Sequence, residues 1–301
     1  MSALDAQIQR EPVRATPRRM RYWTWWLPVF ALIWAGVFFN VFSEPVALLQ
    51  NNWPLVFVGF FGALLGNATA IGGGLVFVPV LILVYHVAPV EALKLAIVSQ
   101  AFGMTSGAIG WLRRGVPTQG LRVTVPALLV GATVSTLVLR PNALLVKGLF
   151  GPVSISIGAL TLYLLNRDGD RLDIPDRTMV PLIGAAFIGG MLSGWVAIGV
   201  GQMVAVVLML VHNMRAERSI GLGVVLLAIA SLYLTLVHHF VLGGVPWEMA
   251  MFTGFGCVYG ARLGPYLSQW LSPRRLKMGF AVVAILDGGI LAIQFLLSHV
   301  I

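Results

Sequence analysis

One cysteine, Cys257, stands among 301 residues, together with only five histidines and 11 carboxylates. Disulfide frameworks need paired cysteines, and thiolate zinc or iron–sulfur sites need clusters of them, so all three are excluded within one chain. No Walker-type phosphate loop occurs, so ATP is not the direct energy source. Charge is scarce too: 10% of residues are charged, against about a quarter in a soluble domain. Apolar residues fill the space, at 58% of the sequence and a mean hydropathy of +0.89. Runs of about 20 apolar residues recur from end to end, each long enough for a hydrocarbon core of about 30 Å. This composition predicts an all-α polytopic membrane protein, integral to the cell membrane.

The first span is predicted over 22–43, with Trp23, Trp25 and Trp26 as interfacial anchors. Further full spans are expected at 92–112, 121–139, 144–165, 219–240, 248–266 and 278–298. Two regions break this pattern. Segments 55–71 and 75–85 are separated by Gly72, Gly73 and Gly74, and segments 179–198 and 203–211 by Gly199, Val200 and Gly201. The second piece of each pair is about half a membrane long, roughly 14–16 Å of helix. Each pair reads as a re-entrant helical hairpin that enters the bilayer, breaks at glycine and returns.

The net charge of +9 is not a nucleic-acid signal, because the basic residues cluster at the ends of apolar segments. Residues 1–22 carry Arg10, Arg14, Arg18, Arg19 and Arg21 and read as a cytoplasmic tail before an uncleaved helix at 23–43. With both hairpins re-entrant, 17 of the 20 Lys and Arg residues fall inside, Arg262 among them. Lys94, Arg140 and Lys147 fall outside. This asymmetry is what the positive-inside rule requires, and either hairpin crossing the membrane would degrade it.

The broken regions belong to a longer duplication. Ala70-Ile71-Gly72-Gly73-Gly74 matches Ala197-Ile198-Gly199-Val200-Gly201, His86 and Glu91 match His212 and Glu217, and Gly115-Val116-Pro117 matches Gly244-Val245-Pro246, all in order. Each copy holds one hairpin and three spans, an odd number, so the second is inverted. The expected organisation is a first repeat at 55–165, a solvated cytoplasmic linker with alternating Asp and Arg at 166–178, and a second repeat at 179–301. Inverted repeats with discontinuous helices are the architecture of secondary transporters, with the substrate near the midplane.

Breaking a helix in hydrocarbon exposes N–H groups that must face protein, water or a ligand. A helix N-terminus favours an anion, and glycine lets a ligand approach the backbone. The expected anion site therefore comprises Gly72, Gly73, Gly74 and Leu75, with Asn67 and Thr69 before them, and Gly199, Gly201 and Gln202 in the other copy. Tight helix packing is the alternative use of such glycines.

These motifs resemble the sulfite exporter TauE/SafE family of membrane permeases, through Gly66, Ile71-Gly72-Gly73-Gly74 and Pro79, the second copy Ser193-Gly194, Ile198-Gly199 and Gly201, and the Gly-Val-Pro that follows. The resemblance implies two related halves and transport of sulfite, sulfonates, thiosulfate or other small organic anions. The second copy departs from it in having Val200 in place of the middle glycine and no proline matching Pro79.

Two ionisable residues join the candidate site. Lys94 either supplies positive charge near the anion or snorkels to the outer interface. Asp287, flanked by Gly288 and Gly289, either couples transport to protons or bonds a neighbouring helix as a protonated structural group. No metal or cofactor is expected. The function expected is a secondary carrier of a small anion, with an anion channel or a membrane-embedded enzyme as alternatives and association with further copies left open. Saturable, trans-stimulated flux distinguishes the carrier from the channel.

Overall fold

The computed structural model describes residues 26–70, 72–166, 169–174, 179–270 and 273–300, some of those after 264, including Asp287, by their backbone alone. The named elements are all helical. They are α1 (Trp26–Val41), α2 (Pro45–Asn52), α3 (Pro54–Thr69), α4 (Gly74–Leu83), α5 (Pro89–Leu112), α6 (Leu121–Thr133), α7 (Ala143–Tyr163), α8 (Met179–Val196), α9 (Val200–Leu210), α10 (Ala216–Phe240), α11 (Trp247–Trp270) and α12 (Pro273–Val300). A π-turn, Val134–Val138, extends α6. The chain divides into two compact units, Met1–Pro45 and Val46–Ile301.

In the first unit, α1 is apolar and lined by ring contacts from Trp26 through Phe30 to Trp34 and from Phe38 to Phe42. Exposed Leu32 and Ile33 suit it to lipid rather than water. The tail at 1–22 and the first residues of the expected span lie outside the described residues.

In the second unit, α5, α6 with its π-turn, α7, α8 and α10 are each long and apolar enough to cross a membrane. The most apolar 18-residue windows of α5 and α10 are 72% buried, against 33% for α6 and α7, so α5 and α10 form the centre and the others face lipid. Prolines at the first turns of α3 and α5 start those helices where a missing N–H costs nothing. Asn142 Oδ1 caps α7 by accepting from Leu145 N at 2.8 Å. Helices α4 and α9, of 10 and 11 residues, are the expected short pieces, and α3, of 16, is the first arm before α4. The helix α2, the π-turn, and the starts of α4 and α9 at Gly74 and Val200 differ in detail from the sequence reading.

Helix packing follows a paired order. The most extensive contacts are α3 with α11, α6 with α8, α5 with α10, and α7 with α12. At both of the first two crossings the backbones touch through glycine. A Cβ on Gly256 or Gly260 would overlap the carbonyls of Val56 or Phe60, and one on Gly131 or Gly190 those of Phe187 or Leu128. Left-handed backbone recurs with the same order: Ala70 and Ala197, Gly72 and Gly199, and His86 and Asn213 are each 127 residues apart.

The linker is more than a solvated strap. Arg171 N donates to Asn213 O at 3.1 Å and Arg215 N to Arg171 O at 2.9 Å, and Ile174 is buried. Alternating charge describes the exposed Asp170, Arg171 and Asp173 but misses the apolar anchor; 167–168 and 175–178 lie outside the described residues. His212, in the turn that receives this linker, has its pKa held below the ordinary histidine value by burial and then by the charge of Arg171. Its imidazole stays neutral in the fold, so the unfolded chain takes up a proton first as pH falls below about 6.5. The detergent-solubilised protein is expected to lose thermal stability between about pH 7.5 and 5.5, and His212→Asn to flatten that dependence. Parallel melting curves of the two proteins check this.

Candidate functional site

The chain breaks after α3 and after α8 in the same way. Ala70 ends α3 in the left-handed region at φ 61° and Ala197 follows α8 at φ 58°. A left-handed alanine costs about 1–2 kcal/mol, so its surroundings must hold it. The breaks hold each other. Gly74, at the start of α4, packs on the carbonyl of Ala197, which lies 2.6 Å from where a Cβ would be. Gly201, at the start of α9, packs reciprocally on the carbonyl of Ala70. Gln100 Nε2, from α5, donates to Ala197 O at 2.7 Å, and Gly72 fits between Gln100 and Leu227 of α10. Leu75, in the first turn of α4, is fully buried.

The electrostatics follow from helix ends. The first N–H groups of α4 and α9 have no acceptor within their own helices. Each partially positive start meets the partially negative carbonyl end of the other hairpin's first arm. On the α9 side the crossing opens into a cavity of about 40 Å³ lined by Thr69, Gln202, Thr161 and the apolar Ile157, Leu160, Ala205 and Met209. Gln202 is 7% exposed, and its Oε1 has no hydrogen-bond partner among the described residues. An amide that lines a cavity beside a helix start can turn its N–H groups toward an anion.

The structure thus brings together both glycine breaks, Leu75, Thr69 and Gln202. Asn67 lies one turn before the break. Its Nδ2 donates to Ala63 O at 2.9 Å, its backbone carbonyl accepts from Trp111 Nε1 at 3.1 Å, and it packs beneath Gly107 and Gly264. Gly73 contacts the ring of Phe77 in its own helix. Lys94 lies elsewhere: its Nζ pairs with Glu91 Oε1 at 2.9 Å, six residues before Gln100, or about 9 Å along α5. The side chain of Asp287, on α12, lies outside the described residues.

Two residues take positions that the sequence alone does not show. Gln100 is one polar residue among many in its span, and only the crossing of the breaks distinguishes it. Arg262, expected at the inner interface, is 6% exposed and donates from Nε to Ser106 Oγ at 3.1 Å, while Ser106 donates to Val258 O. Helix α11 continues to Trp270, so Arg262 lies two turns inside the end at which charge counting had placed it.

An all-helical, multi-pass protein whose two broken helices meet over a small cavity has the build of a membrane transporter. A family model described as sulfite exporter TauE/SafE matches residues 55–291, and the chain belongs to this family. It is 23% identical over 241 residues to a probable membrane transporter protein of Methanocaldococcus jannaschii, covering 74% of this chain and 89% of that one. It is 22% identical over 260 residues to a probable membrane transporter protein of Bacillus subtilis, covering 78% and 94%. No solved structure matches.

Proposed function

We propose that the chain is a secondary transporter of a small anion, a sulfur oxyanion or an organosulfonate such as those its family name suggests. The observation that carries this reading is the reciprocal seating of the two broken-helix starts beside the cavity holding the unpartnered Gln202 oxygen. In this reading Gly72, Gly73, Gly74, Leu75, Gly199, Gly201, Gln202 and Thr69 form the anion's surroundings. Asn67 fixes the approach of α5 and α11 to the first break. Lys94 acts on the route toward it, and Asp287 is a candidate for coupling.

The halves at 55–165 and 179–301 work as inverted repeats that rock about the crossing, with the cavity on the cytoplasmic side of the cell membrane and the N-terminus inside. The exchangeable packing of α3 on α11 and α8 on α6, and left-handed residues at a common interval, support the repeat. The placement of Arg and Lys supports the orientation. The absence of a clustered set of carboxylates or histidines at mid-membrane in the sequence favours transport over catalysis.

Thermal unfolding of purified protein in the presence of sulfite, thiosulfate, sulfate, taurine, sulfoacetate and small carboxylates tests the reading. A ligand of the native state raises the melting temperature by mass action. At least one anion is expected to stabilise the wild type, and Gln202→Leu to weaken that binding about tenfold, the equivalent of one buried hydrogen bond of roughly 1.4 kcal/mol. A flat response to every anion refutes the site.

A further inference from the structure

Near the end of α10, His238 is 1% exposed, and neither ring nitrogen has a hydrogen-bond partner among the described residues. Buried polar groups in native proteins are nearly always bonded, so an imidazole in this state calls for a ligand, a water or a proton function. Lys94 of α5, 8% exposed, lies toward the same end of the antiparallel α5–α10 pair: Gly221 packs on Trp111 near the other end, and Leu227 and Gln100 both stand against Gly72 midway. Lys94 spends one of its three donors on Glu91, whose own side chain is 44% exposed.

We infer that His238 is the proton-binding group of this transporter, and that a proton enters with the anion at a site formed by His238 and Lys94 on the Pro89 side of the crossing. The inference rests on the anion-transport reading and adds its coupling ion.

The argument is electrostatic. A proton taken up at the unpartnered His238 nitrogen places a second positive charge beside Lys94 in a poorly solvated setting. That state is costly by itself and becomes favourable when an anion lies against both groups, because opposite charges interact strongly at low dielectric. The reverse holds equally: an anion binds better once the proton is present, since coupling between two ligands is reciprocal. At the Lys94–His238 site the anion and the proton therefore each favour the binding of the other, which is the condition for symport. Its distance from the crossing, about 9 Å from Lys94 to Gln100 along α5, is a short transfer for a small anion.

Few other groups compete. Helices α3, α8 and α9, which also pack on α10, carry no ionisable side chain, and α6 carries only Arg122 in its first turn. On α10 itself His239 is occupied, accepting at Nδ1 from Trp247 Nε1 at 3.2 Å. His86 and Glu248 flank the adjoining helix starts. A water bonded to His238 is the alternative, and it predicts no coupling.

The test uses proteoliposomes of the full chain with radiolabelled thiosulfate and isethionate, which carry no proton near neutral pH. An inward proton gradient is expected to drive accumulation of at least one of them by the wild type. His238→Gln is expected to lower that accumulation at least about tenfold, and the exchange that it retains is expected no longer to vary with pH. Lys94→Gln is expected to shift the pH midpoint of exchange. Gradient-driven accumulation by a monodisperse His238→Gln protein equal to wild type overturns the inference alone, as does wild-type exchange indifferent to pH. Absence of exchange of either anion by the wild type overturns the transport reading together with it. Should His238→Gln fail to fold, an unshifted pH midpoint in Lys94→Gln overturns the inference.

Discussion

Gly107→Ala is expected to lower the stability of the folded protein by about 3 kcal/mol or more, within the range of severe overpacking. The added methyl would overlap Asn67 Oδ1. Asn67 has no room to withdraw. Its Nδ2 is bonded to Ala63 O, its backbone carbonyl receives Trp111 Nε1, and Gly264 covers its Cβ from the opposite helix. Three helices, α3, α5 and α11, meet at this one side chain. The consequence is a compensation that can be measured. Asn67→Ala removes the obstructing amide, so the Asn67→Ala, Gly107→Ala double variant is expected to recover part of the lost melting temperature. Two single losses that simply add would place the cause elsewhere.

The second large effect separates the glycines of the breaks from one another. Gly74→Ala places a methyl 2.6 Å from the Ala197 carbonyl oxygen and 2.9 Å from Gln100 Nε2, and Gly201→Ala places one against the Ala70 carbonyl. The two carbonyls are backbone atoms at the contact between the breaks, and neither can yield without parting them. Gly73→Ala places its methyl against the ring of Phe77 in α4, a side chain of the same break and not of the other. Anion flux is expected to fall at least about tenfold in Gly74→Ala and Gly201→Ala, roughly 1.4 kcal/mol of barrier, and by much less in Gly73→Ala. Bulky residues at Gly201 are expected to abolish flux altogether. Equal flux in all three alanine variants, measured per folded protein, would remove the crossing from the transport route.

The contrast between Gly73 and Gly74 marks the limit of what sequence reveals. Apolar run length and glycine placement located the short helices α4 and α9 and the breaks before them, because those features are local. Which of three consecutive glycines bears a neighbour depends on the other half of the chain, and no local pattern carries that. Arg262 illustrates the same boundary. Counting charges placed it at a surface, since the counting assumes that cations mark helix ends, and the bond to Ser106 shows a cation held inside one. Asn67 and Gln202 look alike as polar residues in apolar stretches. Packing separates them: neither side-chain oxygen has a partner among the described residues, but one amide is wedged between helices and the other lines a cavity. The apolar anchor Ile174 was hidden by its charged neighbours for a related reason, since a single residue has no periodicity.

The two hairpin crossings also differ in which side carries the bulk. Where α3 meets α11, the side chain belongs to the hairpin, as Asn67, and the glycine to its partner, as Gly264. At the corresponding crossing of α8 and the end of α6 the roles are exchanged: the hairpin supplies Gly194, and the partner Ser135 and Thr136. A protein assembled from two copies of the first half would set Asn67 against Ser135 and clash, and one assembled from two copies of the second would set Gly194 against Gly264 and leave a hole. If the halves are the inverted repeats proposed above, each has lost the ability to pair with itself and kept only the ability to pair with the other. A duplication of that kind would be irreversible at the level of packing, and it would free the two faces of the crossing to specialise, one beside Leu75 and the other beside Gln202.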